Sequence, residues 1–410
     1  MKVQLNKSNI KSFSELKITG SKSESNRVLL LQALFERLEI KNLSNSDDSQ
    51  LMQKALSVED TEHTIVDIHH AGTAMRFLTA YFATRSGKTT TLTGSSRMQE
   101  RPIQILVDAL NSLGACISYT KNEGYPPLLI EGKALTKNSV VMKANVSSQY
   151  ISALLLIAPT LENGLTLRLE GKITSTPYIN MTLSLLNDLG VQTSFDSDTI
   201  TVSPLHQFVP KTFVIESDWS SASYFYSIVA LSPVGTQIAI SAYKSTSLQG
   251  DAVLQHFYKN LGVESTFNGT TLTLKKIELP LPKCLSLDLS HAPDIAQTIC
   301  VTCLGLKIDC DLTGLHTLKI KETDRLVALQ NEIKKLGTTI EITQNSLHMK
   351  TPLELNSDVV ISTYNDHRMA MAFAPLALKT KFFVSDAEVV SKSYPDFWND
   401  LQTLGFTIEK

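Results

Sequence analysis

The chain has 410 residues, too many for one hydrophobic core, so two or three domains are expected. Apolar residues make up 42% and charged residues 19%, the balance of an ordinary globular protein. The formal net charge of −2 excludes the global basic field of a nucleic-acid binder, so any anion site must be built locally.

The opening "MKVQLNKSNIKSF" has no apolar run of the secretory kind. The longest apolar stretch, Ile151 to Leu161, is far shorter than the roughly 20 residues a membrane span needs. Five cysteines in so long a chain suggest no disulfide framework. The expectation is a cytoplasmic protein with neither membrane nor nucleic acid as partner.

Two patterns recur along the chain. In the first, a polar, small-residue opening runs into an almost wholly apolar helix. Its instances are "GSKSESNRVLLLQALF", "HAGTAMRFLTAYFA", "VSSQYISALLLIAP", "SDWSSASYFYSIVAL", "SHAPDIAQTICVTCL" and "YNDHRMAMAFAPLAL". A helix apolar on every side must be buried, so its polar start marks where it meets solvent or ligand. The second pattern is an amphipathic helix closed by Leu-Gly at Gly114, Gly190, Gly262, Gly337 and Gly405, followed by an alternating strand. The spacing is about 70 residues, which gives about six α/β repeats.

The first repeat is short, with too little chain between "SDDSQLMQKAL" and "HAGTAMR" for a full hairpin. The last ends one strand after its Leu-Gly, and the N-terminal "KVQL" and "ELKIT" are candidates for the missing strands. Residues 21–216 are therefore expected to form one half, and 1–20 with 217–410 the other. Two crossings would make a double hinge suited to closure over a ligand.

The first buried helix resembles a phosphate loop, but Ser21 separates Gly20 from Lys22 and no glycine precedes at Walker spacing. Ser21 and Glu24 read instead as a capping box. Lys22 and Arg27 then stand in the first two turns, where each cation is unfavourable by up to about 1 kcal/mol unless an anion sits opposite. An anion held by free N–H groups, Ser23, Lys22 and Arg27 explains the placement; a solvated capping turn with snorkelling side chains is the alternative.

The same logic recurs at the other element starts. Arg76 follows "HAGTAM"; Ser147, Ser148 and Gln149 open the third buried helix; Asp294 opens the fifth and Arg368 the sixth. The amphipathic helices add Arg101, Ser175, Tyr178, Lys321, Glu322, Arg325 and Lys392. Asp294 and Glu322 are carboxylates embedded among cations, suited to proton transfer; for Glu322 a plain helix-start salt bridge is the bland alternative.

No metal-ligand cluster is evident: His69 and His70 are adjacent and, on a strand, would face opposite sides. Cys300 and Cys303 form a CxxC that reads as two small residues in a buried helix, since no second pair completes a zinc set. No GxSxG or GxGxxG occurs.

Taken in order, "GSKSESNR", "AGTAMR", "RMQERPI", "SSQY", "TPYI", "PDIAQT", "KETDR", "NDHRMAM" and "KSYPDF" resemble the 5-enolpyruvylshikimate-3-phosphate synthase (3-phosphoshikimate 1-carboxyvinyltransferase) family over essentially the whole chain. The resemblance implies an α/β fold of two similar domains, each of three βαβαββ-type units, an inside-out α/β barrel joined by a double crossover. It implies transfer of the enolpyruvyl group of phosphoenolpyruvate to the 5-hydroxyl of shikimate 3-phosphate, on the route to chorismate and the aromatic amino acids. It implies no cofactor, no metal and action as a monomer.

Carried over by position, Lys22, Ser23, Arg27, Ser147, Ser148, Gln149, Ser175, Tyr178, Asp294 and Lys321 would bind shikimate 3-phosphate. Lys22, Gly72, Arg101, Gln149, Arg325, Arg368 and Lys392 would surround phosphoenolpyruvate. Asp294 would take the hydroxyl proton, Glu322 with Lys392 would protonate the methylene carbon, and Lys22 completes the catalytic set.

The chain departs from the family pattern at His70 (usually Asn), Phe77 (usually Pro), Thr176 (commonly Lys), Thr317 (a substrate-binding Asn) and in the short first repeat. Phe77 bears on sensitivity to glyphosate, the family's phosphoenolpyruvate-competing inhibitor. UDP-N-acetylglucosamine enolpyruvyl transferase, which shares the fold, uses a cysteine in the loop matching "SSRMQERPI", and this loop has none. A non-catalytic anion-binding protein on the same fold is the remaining alternative.

Overall fold

The computed structural model describes residues 1–58, 62–144, 147–171, 173, 176–352 and 354–410. The chain divides into two compact bodies, Gly20–Ile215 and Met1–Thr19 with Glu216–Lys410. Each has its own apolar core.

Among the described residues the helices are α1 Lys22–Leu34, α2 Asp47–Leu56, α3 Gly72–Ala83, α4 Gln104–Ser112, α5 Ser148–Ile157, α6 Thr176–Asp188, α7 Trp219–Leu231, α8 Leu254–Lys259, α9 Ala296–Leu306, α10 Arg325–Lys335, α11 His367–Phe373 and α12 Phe397–Leu404. The polar-start helices of the sequence are α1, α3, α5, α7, α9 and α11. In the Gly20–Ile215 body α1, α3 and α5 pack on one another; in the other body α9 packs against both α7 and α11. In α5, Ile151, Leu154, Leu155, Leu156 and Ile157 are all fully buried, each contributing about 1.5–3 kcal/mol. The sheets lie outside these helices, so each body has helices at its centre.

Among the described residues, five four-stranded sheets share one pairing order. A strand pairs in parallel with the strand after the buried helix, and two antiparallel strands follow, which form a hairpin in four of the five. In the second repeat His63–Asp67 runs parallel to Thr89–Thr93, and Leu128–Glu131 and Cys116–Tyr119 complete the sheet. The amphipathic helices α4, α6, α8, α10 and α12 precede the hairpin position. The Leu-Gly glycines after them have φ of 109°, 93°, 75°, 95° and 112°, the left-handed conformation that ends a helix.

The N-terminal strands go to two different sheets. Val3–Leu5 lies between Phe382–Val384 and Ile408–Glu409, completing the C-terminal repeat. Phe13–Lys17 pairs in parallel with Gln237–Ser241 in the fourth repeat. Among the described residues the first repeat shows Leu38–Lys41 paired in parallel with Lys211–Val214 and no hairpin.

Two local expectations are corrected. Ser21 is the N-cap residue of α1, but its hydroxyl makes no capping bond and is buried without a partner. His69 and His70 do not face apart: His69 has φ +47°, which breaks the extended alternation, and the two Nδ1 atoms are 2.8 Å from one another.

Candidate active site

In the Gly20–Ile215 body the starts of the three buried helices converge. Gln149 Nε2 of α5 donates to Thr73 Oγ1 of α3 at 3.2 Å. Arg27 of α1 donates to Ser152 Oγ of α5 at 2.9 Å, to Thr182 Oγ1 of α6 at 2.8 Å, to the Ser23 carbonyl at 2.8 Å and to the Tyr178 carbonyl at 3.3 Å. Arg27 is buried, and burial lowers its guanidinium to about 10, against the opposing pull of Tyr178 and Glu24. Four donors spent on hydroxyls and carbonyls make Arg27 a brace between α1, α5 and α6. Phe77 is fully buried with its ring 5.4 Å from the Arg27 guanidinium, so this departure is absorbed into the core as a cation–π neighbour.

A second cation, Arg76, donates to the Gly72 carbonyl at 3.0 Å and the Pro102 carbonyl at 3.3 Å. Tyr150 also donates to the Pro102 carbonyl, at 2.5 Å. These bonds hold the loop carrying Arg101 against the start of α3. The Arg101 guanidinium lies so close to Gly72 that a Cβ there would be 2.4 Å from Nη1. Glycine is therefore required for the approach of Arg101, whatever its value for a ligand. Burial, and then Arg101, lower the Arg76 guanidinium to about 10.

Lys22 and Ser23 open α1, both part-exposed. Ser147 caps α5 by accepting from the Gln149 amide at 3.4 Å, and Ser148 is buried. Ser175 lies outside the described residues; Thr176 begins α6. No described carboxylate stands within 4.0 Å of Lys22, Arg27, Arg76 or Arg101 in an ion pair. Cations without an ion-pair partner among the described residues, gathered at converging helix starts, favour anions.

The other body gathers its helix starts around Asp294, just before α9. Lys321 Nζ is 3.3 Å from Asp294 Oδ1, Arg325 Nη1 2.9 Å from the same atom, and Arg368 Nη2 3.4 Å from Oδ2. Burial pushes the Asp294 carboxyl up, but Lys321, Arg368 and Arg325 together outweigh it and hold it well below the usual range. Arg325 is 2% exposed and also bonds Asp366 at 2.6 Å and Glu322 at 2.7 Å. Burial lowers its pKa, but Asp366, Glu322 and Asp294 raise it further, so it stays charged.

Asp366, to which the sequence reading gave no role, caps α11, where it accepts from the Arg368 amide at 2.9 Å. It is fully buried and its carboxylate fixes Arg325. Arg368 also reaches Ser220 Oγ of α7 at 3.1 Å and the Asp294 carbonyl at 3.1 Å. Lys392 donates to the Asn365 carbonyl at 2.7 Å, beside the turn in which Tyr364 and Asn365 both have positive φ. The hydroxyl oxygen of Thr317 is buried with no partner among the described residues. Asp251 carried no sequence signal, and Ser220 only that of the polar start of α7.

No group of three or more His, Cys, Asp or Glu among the described residues is arranged to hold a metal ion, and no described helix is long and apolar enough to cross a membrane. Cys300, Cys303 and Cys310 are buried, away from these polar starts.

The family profile described as EPSP synthase (3-phosphoshikimate 1-carboxyvinyltransferase) matches residues 8–401. A 3-phosphoshikimate 1-carboxyvinyltransferase of Bacteroides fragilis is 48% identical over 400 residues, covering 96% of both chains. One from Sulfurovum is 35% identical, covering 95% of this chain and 96% of that one. The solved EPSP synthase of Acinetobacter baumannii superposes with a TM-score of 0.78 over 100% of this chain and 99% of that one, at 18% identity. The enolpyruvyl transferase NikO of Streptomyces tendae gives 0.74 over 100% and 98%, at 14% identity, so the architecture outlasts sequence likeness. With the profile spanning nearly the whole length and relatives this similar from end to end, the chain belongs to the EPSP synthase (3-phosphoshikimate 1-carboxyvinyltransferase) family.

Proposed function

We propose that this chain transfers the enolpyruvyl group of phosphoenolpyruvate to the 5-hydroxyl of shikimate 3-phosphate, releasing phosphate through a tetrahedral addition–elimination intermediate. The observation that carries the reading furthest is the Asp294 carboxylate held among Lys321, Arg325 and Arg368. A carboxylate held so far below its usual range is a weak base. An anion that engages one of those cations removes part of the field that depresses it. At about 4 Å and an effective dielectric near 20, one charge interaction is about 4 kcal/mol, or roughly 3 pH units. Base strength at Asp294 is thus coupled to arrival of both anionic substrates, shikimate 3-phosphate through Lys321 and phosphoenolpyruvate through Arg325 and Arg368, and the 5-hydroxyl loses its proton only when both are bound.

In this reading Glu322, oriented by Arg325 at 2.7 Å, delivers a proton to the methylene carbon, with Lys392 beside it. Lys22, Ser23, Arg27, Ser147, Ser148, Gln149, Ser175, Tyr178 and Lys321 hold shikimate 3-phosphate. Lys22, Arg101, Gln149, Arg325, Arg368 and Lys392 hold phosphoenolpyruvate, with Gly72 admitting Arg101. The cations stabilise the charge of the intermediate. The reading includes a cytoplasmic location and action as a monomer, the latter checked by light scattering.

The test is phosphate release by the purified protein. Release that requires both substrates supports the assignment. Binding of both without turnover would make the chain an anion-binding protein on this fold.

A further inference from the structure

One buried carboxylate near Arg368 takes no part in the chemistry above. Asp251 lies in the single-turn 3-10 helix Gly250–Val253 and is 3% exposed. Its Oδ2 accepts a hydrogen bond from the Ser220 hydroxyl, and among the described residues its Oδ1 has no hydrogen-bond partner and it forms no ion pair. A buried carboxylate normally carries several hydrogen bonds or a paired cation, because its desolvation is costly. Asp251 has one bond, so its stabilising return to the fold is small and its placement calls for another reason.

That reason is Ser220. A hydroxyl has one proton and two lone pairs. With its proton committed to Asp251, Ser220 turns a lone pair toward Arg368 Nη2, which donates to it at 3.1 Å. We propose that Asp251 is a positioning residue for Arg368, acting through the hydroxyl of Ser220.

The guanidinium is then fixed at Nη2 by Ser220 and, more weakly, by the Asp294 carboxylate at 3.4 Å, and at Nη1 by the Asp294 carbonyl at 3.1 Å, while among the described residues its buried Nε keeps no partner. The charged groups whose fields reach Asp251 are Arg368, Asp294 and Asp218, on the elements that start α11, α9 and α7. The Asp218 carboxylate is already occupied by the amide and hydroxyl of Ser221. Burial pushes Asp251 up to about 6, so at pH 7.5 it is still the acceptor form the relay needs.

The inference rests on the reading that Arg368 binds phosphoenolpyruvate, so the experiment includes Arg368→Ala. The Michaelis constants for both substrates are measured at pH 7.5 in Ser220→Ala, Asp251→Ala, the double variant and Asp251→Asn, with thermal midpoints. Ser220→Ala and Asp251→Ala are expected to raise KM for phosphoenolpyruvate roughly tenfold, with KM for shikimate 3-phosphate within about twofold. The double variant is expected to be no worse than the worse single one. Asp251→Asn, which keeps an acceptor oxygen, is expected to restore most of the lost affinity. An unchanged KM in both single variants, additive losses, or an Asn variant as impaired as the Ala variant would each overturn the relay. Ser220→Ala is nearly isosteric, so the outcome stands even where Asp251→Ala does not fold. If Arg368→Ala itself leaves KM for phosphoenolpyruvate unchanged, the reading of Arg368 is what fails.

Discussion

Gly72→Ala isolates one contact. The new Cβ would stand 2.4 Å from Arg101 Nη1, 3.0 Å from Cζ and 3.1 Å from Nη2. Gly72 is not in the left-handed region, so alanine brings no backbone strain, and at the first position of α3 it favours the helix if anything. What must yield is the tip of a flexible side chain. The guanidinium has to retreat about 1 Å to reach the 3.4 Å at which ordinary contact begins. A misplacement of that size costs up to about a hundredfold in a site built on geometry. KM for phosphoenolpyruvate is therefore expected to rise by one to two orders of magnitude, about 1.4–2.7 kcal/mol. The thermal midpoint and KM for shikimate 3-phosphate should stay as in the wild type. Phosphate release with phosphoenolpyruvate varied at saturating shikimate 3-phosphate reads the effect. An unchanged KM, or equal losses for both substrates, would refute a selective displacement of Arg101.

Glu322→Gln keeps an oxygen facing Arg325 and removes the acid. Turnover is expected to fall by roughly 10²–10⁴ with substrate binding kept, as measured by calorimetry beside the phosphate assay; unchanged turnover would remove Glu322 from the mechanism. Asp251 has a folded pKa of about 6, raised by burial, so its stability contribution is fully present below the unfolded value near 4 and is lost as pH rises through 6. Asp251→Asn should therefore gain up to about 3 kcal/mol relative to wild type at pH 8 and little at pH 4; urea unfolding at the two pH values checks the sign. Thiol titration of the native protein should find Cys116 and Cys284 only, with Cys300, Cys303 and Cys310 reacting after unfolding; five fast thiols would contradict the buried placement.

Much of the fold is written locally. A helix with no polar face can only be interior, and so α1, α3, α5, α7, α9 and α11 could be recognised as buried from a dozen residues each. A glycine after leucine at the end of an amphipathic run declares a left-handed cap, and all five adopt it. The cations at helix starts were likewise visible, because they stand where the backbone dipole disfavours them.

The tertiary structure alone decided what those charged groups do. Arg27 spends its donors on Thr182 and Ser152, more than a hundred positions away. Beyond its neighbour Glu322, Arg325 is held by Asp294 and Asp366 from two other elements, and Asp251 meets Arg368 through a serine. Phe13–Lys17 joins the sheet of the fourth repeat and not the last. The Ser21 hydroxyl makes no cap despite a sequence that fits one. Apolar burial leaves a period in the chain because it acts on every turn of a helix. A hydrogen bond between two distant polar atoms leaves none, since its partner is fixed only when the repeats pack.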